Sequence, residues 1–322
     1  MSQEVFITRR VPEVGIKLLQ DAGFKVEIHD SDLPIERRVL LERLREGNYQ
    51  ALLTTLSDKV NDEFLDAVPN LKIVANFAVG YDNIDLPACT KRNVLVSNTP
   101  GVLSEATADQ AFALILAVAR RVVEGHTLVA SNEWQGWAPL QLLGQDITGK
   151  TLGIIGMGRI GREVAKRAKG FDMEVLYFNR KRDLEAESKL NVHYADLPTL
   201  LKESDVVSIH CPYTKETHHL IDQKELGQMK PNAILVNTAR GPIVHEAALV
   251  KALQEKRIWG AGLDVFEFEP KVTDELKTMP NVVLTPHLGS ATEGTRDAMI
   301  TLATEAIIAV LNDKRVKHLL NP

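Results

Sequence analysis

The sequence has few of the features that mark secreted or membrane proteins. Only two of its 322 residues are cysteine, Cys89 and Cys211, which excludes a disulfide framework and favours a reducing compartment. The longest apolar run, residues 111–119, is too short to cross a bilayer. The N-terminal residues also lack the apolar stretch of a signal peptide. We therefore expect a cytoplasmic protein without a membrane partner.

An excess of positive charge is absent as well. The net charge of −5 at pH 7 argues against nucleic acid or an anionic membrane as the main partner. The nine histidines show no spacing typical of metal ligands, and we predict no metal site. The remaining composition, 44% hydrophobic and 25% charged, is typical of a globular protein. Evidence for function therefore has to come from motifs.

Short apolar runs alternate with helical patterns along the chain, without a Pro- or Ser-rich linker or an internal repeat. This alternation predicts an α/β fold, and 322 residues are too many for one ordinary core. We expect two Rossmann-like or flavodoxin-like doubly wound parallel-sheet domains with a cleft between them. Residues 1–99 with 291–322 are predicted to form the substrate domain, and residues 100–290 the cofactor domain. The predicted strands are 5–8, 25–28, 51–54, 72–77, 94–97, 151–156, 173–178, 205–210, 233–237, 259–265 and 282–285, and the longest predicted helices run from Ser104 through Arg121 and over 291–311.

The most specific motif is a glycine-rich turn that directly follows an apolar strand. It reads Gly156-Met157-Gly158-Arg159-Ile160-Gly161, the G-x-G-x-x-G pattern, and a helical pattern begins at Arg159. The first glycine permits the tight turn, the second lets a pyrophosphate approach the backbone, and the third lets helix pack on strand. The phosphates then lie at the helix N-terminus, where free N–H groups and the helix dipole favour anions. The motif predicts a dinucleotide site formed by these six residues.

The end of the next strand lacks a carboxylate. NAD sites usually place an Asp or Glu there to bond the ribose 2′-OH, whereas this strand is followed by Asn179-Arg180-Lys181-Arg182. Arginine suits phosphate oxygens, and a 2′-phosphate would repel a carboxylate. The alternative is a solvated basic turn that pairs with Asp183. We predict NADP(H) as the preferred cofactor, with NAD(H) possible, bound in part by Asn179, Arg180 and Lys181.

Three chemically active side chains come directly after later strands of the cofactor domain. They are Arg240, Glu269 and His287, and the carboxyl ends of parallel strands meet at one edge, where ligands bind. Reduction of a 2-keto acid requires a cation for the carboxylate and carbonyl, a proton donor, and a carboxylate that orients this donor. Arg240, His287 and Glu269 suit these tasks in that order. Each alone would be typical of a solvated loop, but their convergence favours catalysis.

Several long motifs resemble those of the D-isomer-specific 2-hydroxyacid dehydrogenases. Besides the glycine-rich turn they are residues 76–85 (Asn-Phe-Ala-Val-Gly-Tyr-Asp-Asn-Ile-Asp), 237–244 (Asn-Thr-Ala-Arg-Gly-Pro-Ile-Val), 262–270 (Gly-Leu-Asp-Val-Phe-Glu-Phe-Glu-Pro) and 285–292 (Thr-Pro-His-Leu-Gly-Ser-Ala-Thr). These motifs occur in the family's order over nearly the whole chain. In that family the Arg, the Glu before Pro and the His of the Pro-His motif are catalytic, so the resemblance implies catalytic roles for the matching residues Arg240, Glu269 and His287.

The resemblance also implies further site residues. The backbone N–H groups of Val79 and Gly80 are expected to bind the substrate carboxylate, together with Arg240 and His287. Cofactor contacts expected by resemblance or by position at strand ends are Thr107, His210, Cys211, Pro212, Thr217, Thr238, Ala239, Asp264 and Gly289. The likeness is greatest to glyoxylate/hydroxypyruvate reductases, which form glycolate and D-glycerate and often use NADPH. Reductases of 2-ketogluconate are similar and remain an alternative.

Two tryptophans, Trp134 and Trp137, precede the glycine-rich turn. Tryptophan is ordinarily used for packing. In similar reductases, however, this segment belongs to an arm that embraces a second subunit, and one Trp approaches the partner's active site. The resemblance therefore implies a homodimer and makes Trp137 a candidate substrate contact.

A different class of protein shares parts of this pattern. Transcriptional co-repressors that resemble the family use the dinucleotide fold to sense a cofactor while they bind other proteins. Such chains usually carry tails or insertions, and this sequence has no low-complexity segment. Formate, phosphoglycerate and phosphite dehydrogenases have related motifs, but no additional regulatory domain is expected here. We therefore expect an enzyme.

Overall fold

A computed structural model describes residues 3–322, and the chain divides into two compact units. The first unit comprises the chain up to Leu103 together with Thr292–Pro322, and the second is Ser104–Ala291. The glycine-rich turn lies in the second unit. The chain therefore enters the nucleotide-binding unit from the first unit and returns to the first unit at its end.

The first unit contains a five-stranded sheet. Its strands are β1 (Glu4–Ile7), β2 (Lys25–Ile28), β3 (Tyr49–Thr54), β4 (Ile73–Asn76) and β5 (Leu95–Ser97), and its helices are α1 (Glu13–Asp21), α2 (Arg37–Glu46), α3 (Asp62–Asp66), α4 (Leu86–Lys91) and the C-terminal α13 (Glu293–Leu311). All strands are parallel, in the order β2-β1-β3-β4-β5. This is the flavodoxin-like doubly wound order. Helix α13 packs against α1, β3 and β4, so the last segment of the chain completes this unit.

The second unit contains a seven-stranded parallel sheet. Its elements are α5 (Ser104–Ala119), α6 (Val122–Ala130), β6 (Thr151–Ile155), α7 (Arg159–Ala168), β7 (Glu174–Phe178), α8 (Leu184–Leu190), β8 (His193–Tyr194), α9 (Leu197–Glu203), β9 (Val206–Ile209), α10 (Gln223–Leu226), β10 (Ile234–Asn237), α11 (Glu246–Gln254), β11 (Gly260–Leu263), α12 (Asp274–Thr278) and β12 (Val282–Leu284), with 3-10 turns at Lys169–Phe171 and Gly241–Ile243. The strand order is β12-β11-β10-β9-β6-β7-β8. The order reverses between β6 and β9, and ligands of doubly wound sheets bind at such a switch point.

Both faces of the second sheet are buried. Along β10, Ile234 and Val236 belong to one apolar cluster with Leu114 of α5, whereas Leu235 belongs to a second cluster with Leu249 of α11. Because successive strand residues point to opposite faces, a strand buried on both faces is apolar at every position. This explains why short apolar runs identified the strands, and it leaves the carboxyl edge as the place for polar chemistry.

The two parallel sheets confirm the predicted fold class, and each predicted strand is present. Strand β8 was not predicted, because its two residues, His193 and Tyr194, are exposed at the sheet edge and form no apolar run. The helix predicted through Arg121 ends at Ala119. Arg121 adopts the left-handed conformation, φ 52°, and a separate helix follows. The cleft between the domains stays a prediction.

An exposed apolar segment extends from α6 toward β6. In this segment, residues 122–143, Trp137 and Leu140 are 82% and 81% exposed, and none of the residues of α6 is buried. Trp134 and Trp137 therefore do not pack in the core of their own unit. No helix within residues 3–322 combines the length and the hydrophobicity that a membrane crossing requires.

Candidate active site

The three glycines of the turn after β6 lie in different surroundings. Gly156 has φ 103°, a left-handed conformation that favours glycine, and a Cβ there would lie 2.5 Å from the Cys211 nitrogen. A Cβ on Gly161 would lie 2.2 Å from the Gly156 carbonyl oxygen. The Cβ position of Gly158 has no atom within 4 Å. The turn is thus tight at Gly156, closely packed at Gly161 and open at Gly158.

The start of α7 leaves backbone donors for an anion. Its N-cap is Gly158, without a side-chain cap, and the first helical bond to this cap comes from the Arg162 N–H. In the described chain no acceptor is found for the N–H groups of Arg159, Ile160 and Gly161. The Met157 N–H donates to Asn179 Oδ1 over 2.8 Å, which ties the turn to the end of β7. These residues fit a dinucleotide pyrophosphate.

The basic residues after β7 are not equivalent. Arg182 donates two hydrogen bonds to Glu187, each over 2.7 Å. Together with a hydrogen bond from the Tyr177 hydroxyl, they lower the pKa of Glu187 to about 2. Arg180 and Lys181 are exposed, and neither forms a salt bridge among the residues described. Two cations at the strand end therefore remain available to a ligand.

Asp183 does not neutralise this basic run. Its carboxylate accepts a hydrogen bond from Arg162 of α7 over 2.6 Å and caps α8 through the Ala186 N–H. The alternative of a basic turn paired with Asp183 is therefore not what the structure shows.

The structure brings Arg240, Glu269 and His287 together at the carboxyl edge of β10, β11 and β12. His287 Nδ1 lies 3.2 Å from Glu269 Oε2, and the two side chains are 34% and 38% exposed. Partial burial disfavours the charged form of Glu269, but the hydrogen bond and charge of His287, a bond from the Phe266 N–H and the charge of Arg240 outweigh it. The pKa of Glu269 is consequently below its ordinary value, and a charged carboxylate faces the imidazole at neutral pH.

Asp264 holds the turn that carries His287. This fully buried residue accepts hydrogen bonds from the Leu288 N–H, at 2.7 Å, and from the Gly289 N–H, at 2.8 Å. His287 itself has φ 55°, an uncommon conformation for a residue other than glycine. Sequence reasoning placed Asp264 and Gly289 beside the cofactor and missed this task, because hydrogen bonds to backbone N–H groups leave no motif.

Asn237 does the same for the turn that carries Arg240. Its Nδ2 donates to the Arg240 carbonyl oxygen over 2.9 Å, and its Oδ1 accepts from the Ala239 N–H over 3.0 Å. Asn237 is the last residue of β10 and is buried. The catalytic candidates are thus fixed to the sheet by neighbouring polar side chains.

The remaining expected cofactor residues lie along the same edge. Although His210 is partly exposed, its Nδ1 atom is buried and unpaired within the described chain, and burial lowers its pKa to about 3. Burial raises the pKa of Cys211 to about 11. Thr217 Oγ1 donates to the Pro212 carbonyl oxygen over 2.8 Å and so closes the loop after β9. Thr238 Oγ1 is buried without a partner among the residues described.

Thr107 belongs to the same part of the edge. It is buried in α5, and a Cβ on Gly289 would lie 3.3 Å from the Thr107 Cγ2 atom. The turn after β12 therefore packs directly against the first turns of α5.

Val79 and Gly80 lie in the first unit, shortly after β4. Both are partly exposed, and no acceptor for either N–H is found within residues 3–322. Two successive free N–H groups form a simple anion-binding feature. Trp137, which was also expected to contact the substrate, lies in the exposed apolar segment.

A doubly wound sheet with a glycine-rich turn, and with Arg, Glu and His on its carboxyl edge, is the arrangement of a nicotinamide-dependent dehydrogenase. The family model described as "D-isomer specific 2-hydroxyacid dehydrogenase, NAD binding domain" matches residues 112–289. A glyoxylate reductase from Thermococcus litoralis is 52% identical over 325 residues, covering 100% of this chain and 97% of that one.

Solved structures of other proteins share the fold of this chain over nearly its whole length. A Thermus thermophilus protein has a TM-score of 0.93 at 43% identity, covering 99% of this chain and 100% of that one. An NADPH-dependent glyoxylate/hydroxypyruvate reductase from Sinorhizobium meliloti, in complex with NADP and malonate, has a TM-score of 0.88 at 30% identity, covering 99% and 97%. The chain belongs to the D-isomer-specific 2-hydroxyacid dehydrogenases. It is a 2-keto acid reductase that uses a nicotinamide cofactor.

Proposed function

We propose that the protein reduces glyoxylate to glycolate and hydroxypyruvate to D-glycerate, with NADPH as the preferred cofactor. The observation that carries the proposal is the His287–Glu269 pair at 3.2 Å, on the same sheet edge as Arg240. Relatives named glyoxylate reductase at about half identity over the full chain support this choice of substrate.

Each group has a defined task in this reaction. Arg240, with the free N–H groups of Val79 and Gly80, binds the substrate carboxylate, and Arg240 also polarises the carbonyl. His287 donates a proton to the carbonyl oxygen, and Glu269 orients the imidazole through its contact with Nδ1. The reduced nicotinamide, when bound, supplies the hydride for the carbonyl carbon. The product is a D-2-hydroxy acid, as the family implies.

Preference for NADPH follows from the end of β7. Arg180 and Lys181 stand where the ribose 2′-position of a bound dinucleotide is expected, and neither is engaged in a salt bridge in the described part of the chain. A 2′-phosphate would gain charge-assisted hydrogen bonds there, whereas a 2′-OH finds no carboxylate. The NADPH-dependent relative from Sinorhizobium meliloti supports the proposal, and NADH remains a possible second cofactor.

Initial rates of NADPH and NADH oxidation test this function directly. Glyoxylate, hydroxypyruvate, pyruvate and 2-ketogluconate would be supplied in turn to the purified protein. We expect fast NADPH-linked turnover of glyoxylate and hydroxypyruvate. Turnover of 2-ketogluconate alone would favour the larger substrate, and tight cofactor binding without any turnover would favour a cofactor-sensing protein.

We also propose that the protein forms a homodimer through the exposed apolar segment. Trp134, Trp137, Leu140 and Leu143 are all more than half exposed, and clustered exposed apolar side chains mark interaction sites. In this arrangement Trp137 reaches the partner's active site as a substrate contact. Light scattering of the purified protein should give twice the monomer mass, and a monomer would contradict the proposal.

A cytoplasmic location is proposed from the cysteines. Cys89 and Cys211 are both unpaired, and free thiols are typical of proteins in a reducing compartment. Fractionation of cells that produce the protein should place it with the cytoplasmic markers, and its recovery outside the cell would contradict the assignment.

A further inference from the structure

The two residues that follow β5 donate hydrogen bonds to the loop Ala78–Gly80. Asn98, the first residue after β5, donates from Nδ2 to the Val79 carbonyl oxygen over 2.8 Å. The next residue, Thr99, donates its backbone N–H to the Ala78 carbonyl oxygen over 2.9 Å. Both donors are buried. Two adjacent residues thus hold two successive carbonyl groups of the loop.

Each of these carbonyl groups shares a peptide plane with one of the free N–H groups. In a trans peptide the C=O of one residue and the N–H of the next point in opposite directions. The Ala78 carbonyl is therefore coupled to the Val79 N–H, and the Val79 carbonyl to the Gly80 N–H. Because both carbonyls point toward residues 98 and 99, both N–H groups point away from them.

The loop is held on its other side as well. Asn76 Nδ2 donates to the Gly80 carbonyl oxygen over 2.8 Å, and Asn76 is fully buried at the end of β4. The Gly80 N–H belongs to the same peptide group as the Val79 carbonyl. Among residues 3–322, the only side chain that forms a hydrogen bond to this peptide group is that of Asn98. Loss of this donor would leave the Val79 carbonyl, and with it the Gly80 N–H, free to turn.

We propose that Asn98 is a positioning residue for substrate binding, which fixes the direction of the Gly80 N–H toward the substrate carboxylate. This inference rests on the proposed function, because it concerns the group that receives the carboxylate. Asn98 does not take part in the transfer of the proton. Its effect is on the affinity for 2-keto acids, through the orientation of a backbone donor before the substrate arrives.

The test compares Asn98→Asp, Asn98→Ala and a matched control, Asn281→Asp. The Asp variant keeps the shape of the side chain but replaces the donor by an oxygen that repels the Val79 carbonyl. In the control, Asn281 Nδ2 donates to the Trp259 carbonyl oxygen over 2.7 Å, in the other unit. With NADPH saturating, KM for glyoxylate should rise about 10- to 100-fold in both Asn98 variants. Inhibition by oxalate, a carboxylate that cannot be reduced, should weaken in parallel.

The readouts separate positioning from folding. In the Asn98 variants we expect kcat to change less than about threefold and the Kd for NADPH to stay unchanged, while Asn281→Asp should keep the wild-type KM. An unchanged KM in the Asn98 variants, or equal losses in kcat, KM and NADPH affinity, would overturn the proposal. If Asn98→Asp does not fold, Asn98→Ala decides. A wild-type protein that reduces no 2-keto acid overturns the proposed function, whereas an active wild type with insensitive Asn98 variants overturns only this inference.

Discussion

The two sheets present different chemistry at their carboxyl edges. In the second unit, the edge carries side chains that are chemically active: Arg240, Glu269 and His287. In the first unit, the edge offers backbone N–H groups at Val79 and Gly80, held by neutral amide side chains. We propose a division of tasks, in which the edge of the second unit performs the chemistry and the backbone N–H groups of the first unit bind the carboxylate.

The largest effect is expected from loss of the proton donor. In His287→Ala the carbonyl oxygen loses its acid, so kcat for glyoxylate should fall by about 10²- to 10⁴-fold. The Kd for NADPH should be unchanged, because the pyrophosphate site is formed by other residues. The control is His193→Ala, which removes an exposed imidazole from the edge strand β8. If His287→Ala kept its turnover, the chemistry could not be assigned to this edge of the second unit.

A smaller loss is expected from Glu269→Gln. Gln keeps the size of the side chain but removes the charge of the carboxylate that orients the His287 imidazole, so kcat should fall by about 10- to 100-fold across the pH profile. A matched control is Glu255→Gln, in an exposed residue just after α11. A profile of unchanged shape and height would contradict the role of Glu269.

The lowered pKa of Glu269 also fixes the acid side of that profile. The carboxylate is charged at neutral pH, and the charge is lost only as the pH falls through a pKa below the ordinary value of 4.5. Protonation of Glu269 should therefore reduce kcat/KM of the wild type by less than half at pH 4.5 and by less still at higher pH. An acid loss centred above that value which Glu269→Gln abolishes would contradict the assignment.

Cofactor preference tests a second feature of the nucleotide-binding unit. Arg180→Asp replaces a cation that forms no salt bridge among the described residues by an anion, so we expect NADPH affinity to fall about 10- to 100-fold and NADH affinity to change little. In the control Arg182→Gln, the residue lost is already bound to Glu187, and the effect on NADPH should be smaller. Equal losses for both cofactors in Arg180→Asp would remove the 2′-phosphate assignment.

The smallest effect is expected from the exposed apolar segment. Trp137→Ala should raise KM for the larger substrate, hydroxypyruvate, by a few-fold at most, about 1 kcal/mol, since in the proposed dimer Trp137 adds one apolar contact to a site whose charged groups are unchanged. The variant should remain a dimer in light scattering. A dimeric Trp137→Ala protein with unchanged kinetics for every 2-keto acid would leave Trp137 without a role in catalysis.

The difference between the two sheet edges also explains which site residues the sequence could predict. Buried parallel strands are apolar throughout, so the two sheets were visible as short runs, and the residues after each strand identified Arg240, Glu269 and His287. Backbone donors have no such signature, because any residue has an N–H group. Val79 and Gly80 were accordingly reached through the resemblance alone, and their roles stay proposals.

The tasks of side chains that hold neighbouring loops were missed for a related reason. Asp264, Asn237 and Asn98 act through hydrogen bonds to backbone groups of neighbouring loops. Such bonds depend on where loops meet in space, which no spacing in the chain records. The tryptophans Trp134 and Trp137 show that residue type alone can also mislead. Tryptophan is ordinarily packed in the core, whereas Trp137 lies on the surface.

The division of tasks between the two edges is tested most directly by steady-state kinetics of two variants side by side. Asn98→Asp and His287→Ala would be assayed with glyoxylate at saturating NADPH, together with the wild type. We predict that Asn98→Asp raises KM with little change in kcat, and that His287→Ala lowers kcat with NADPH still bound. If both variants lost the same parameter to the same extent, the two edges would not have separate roles.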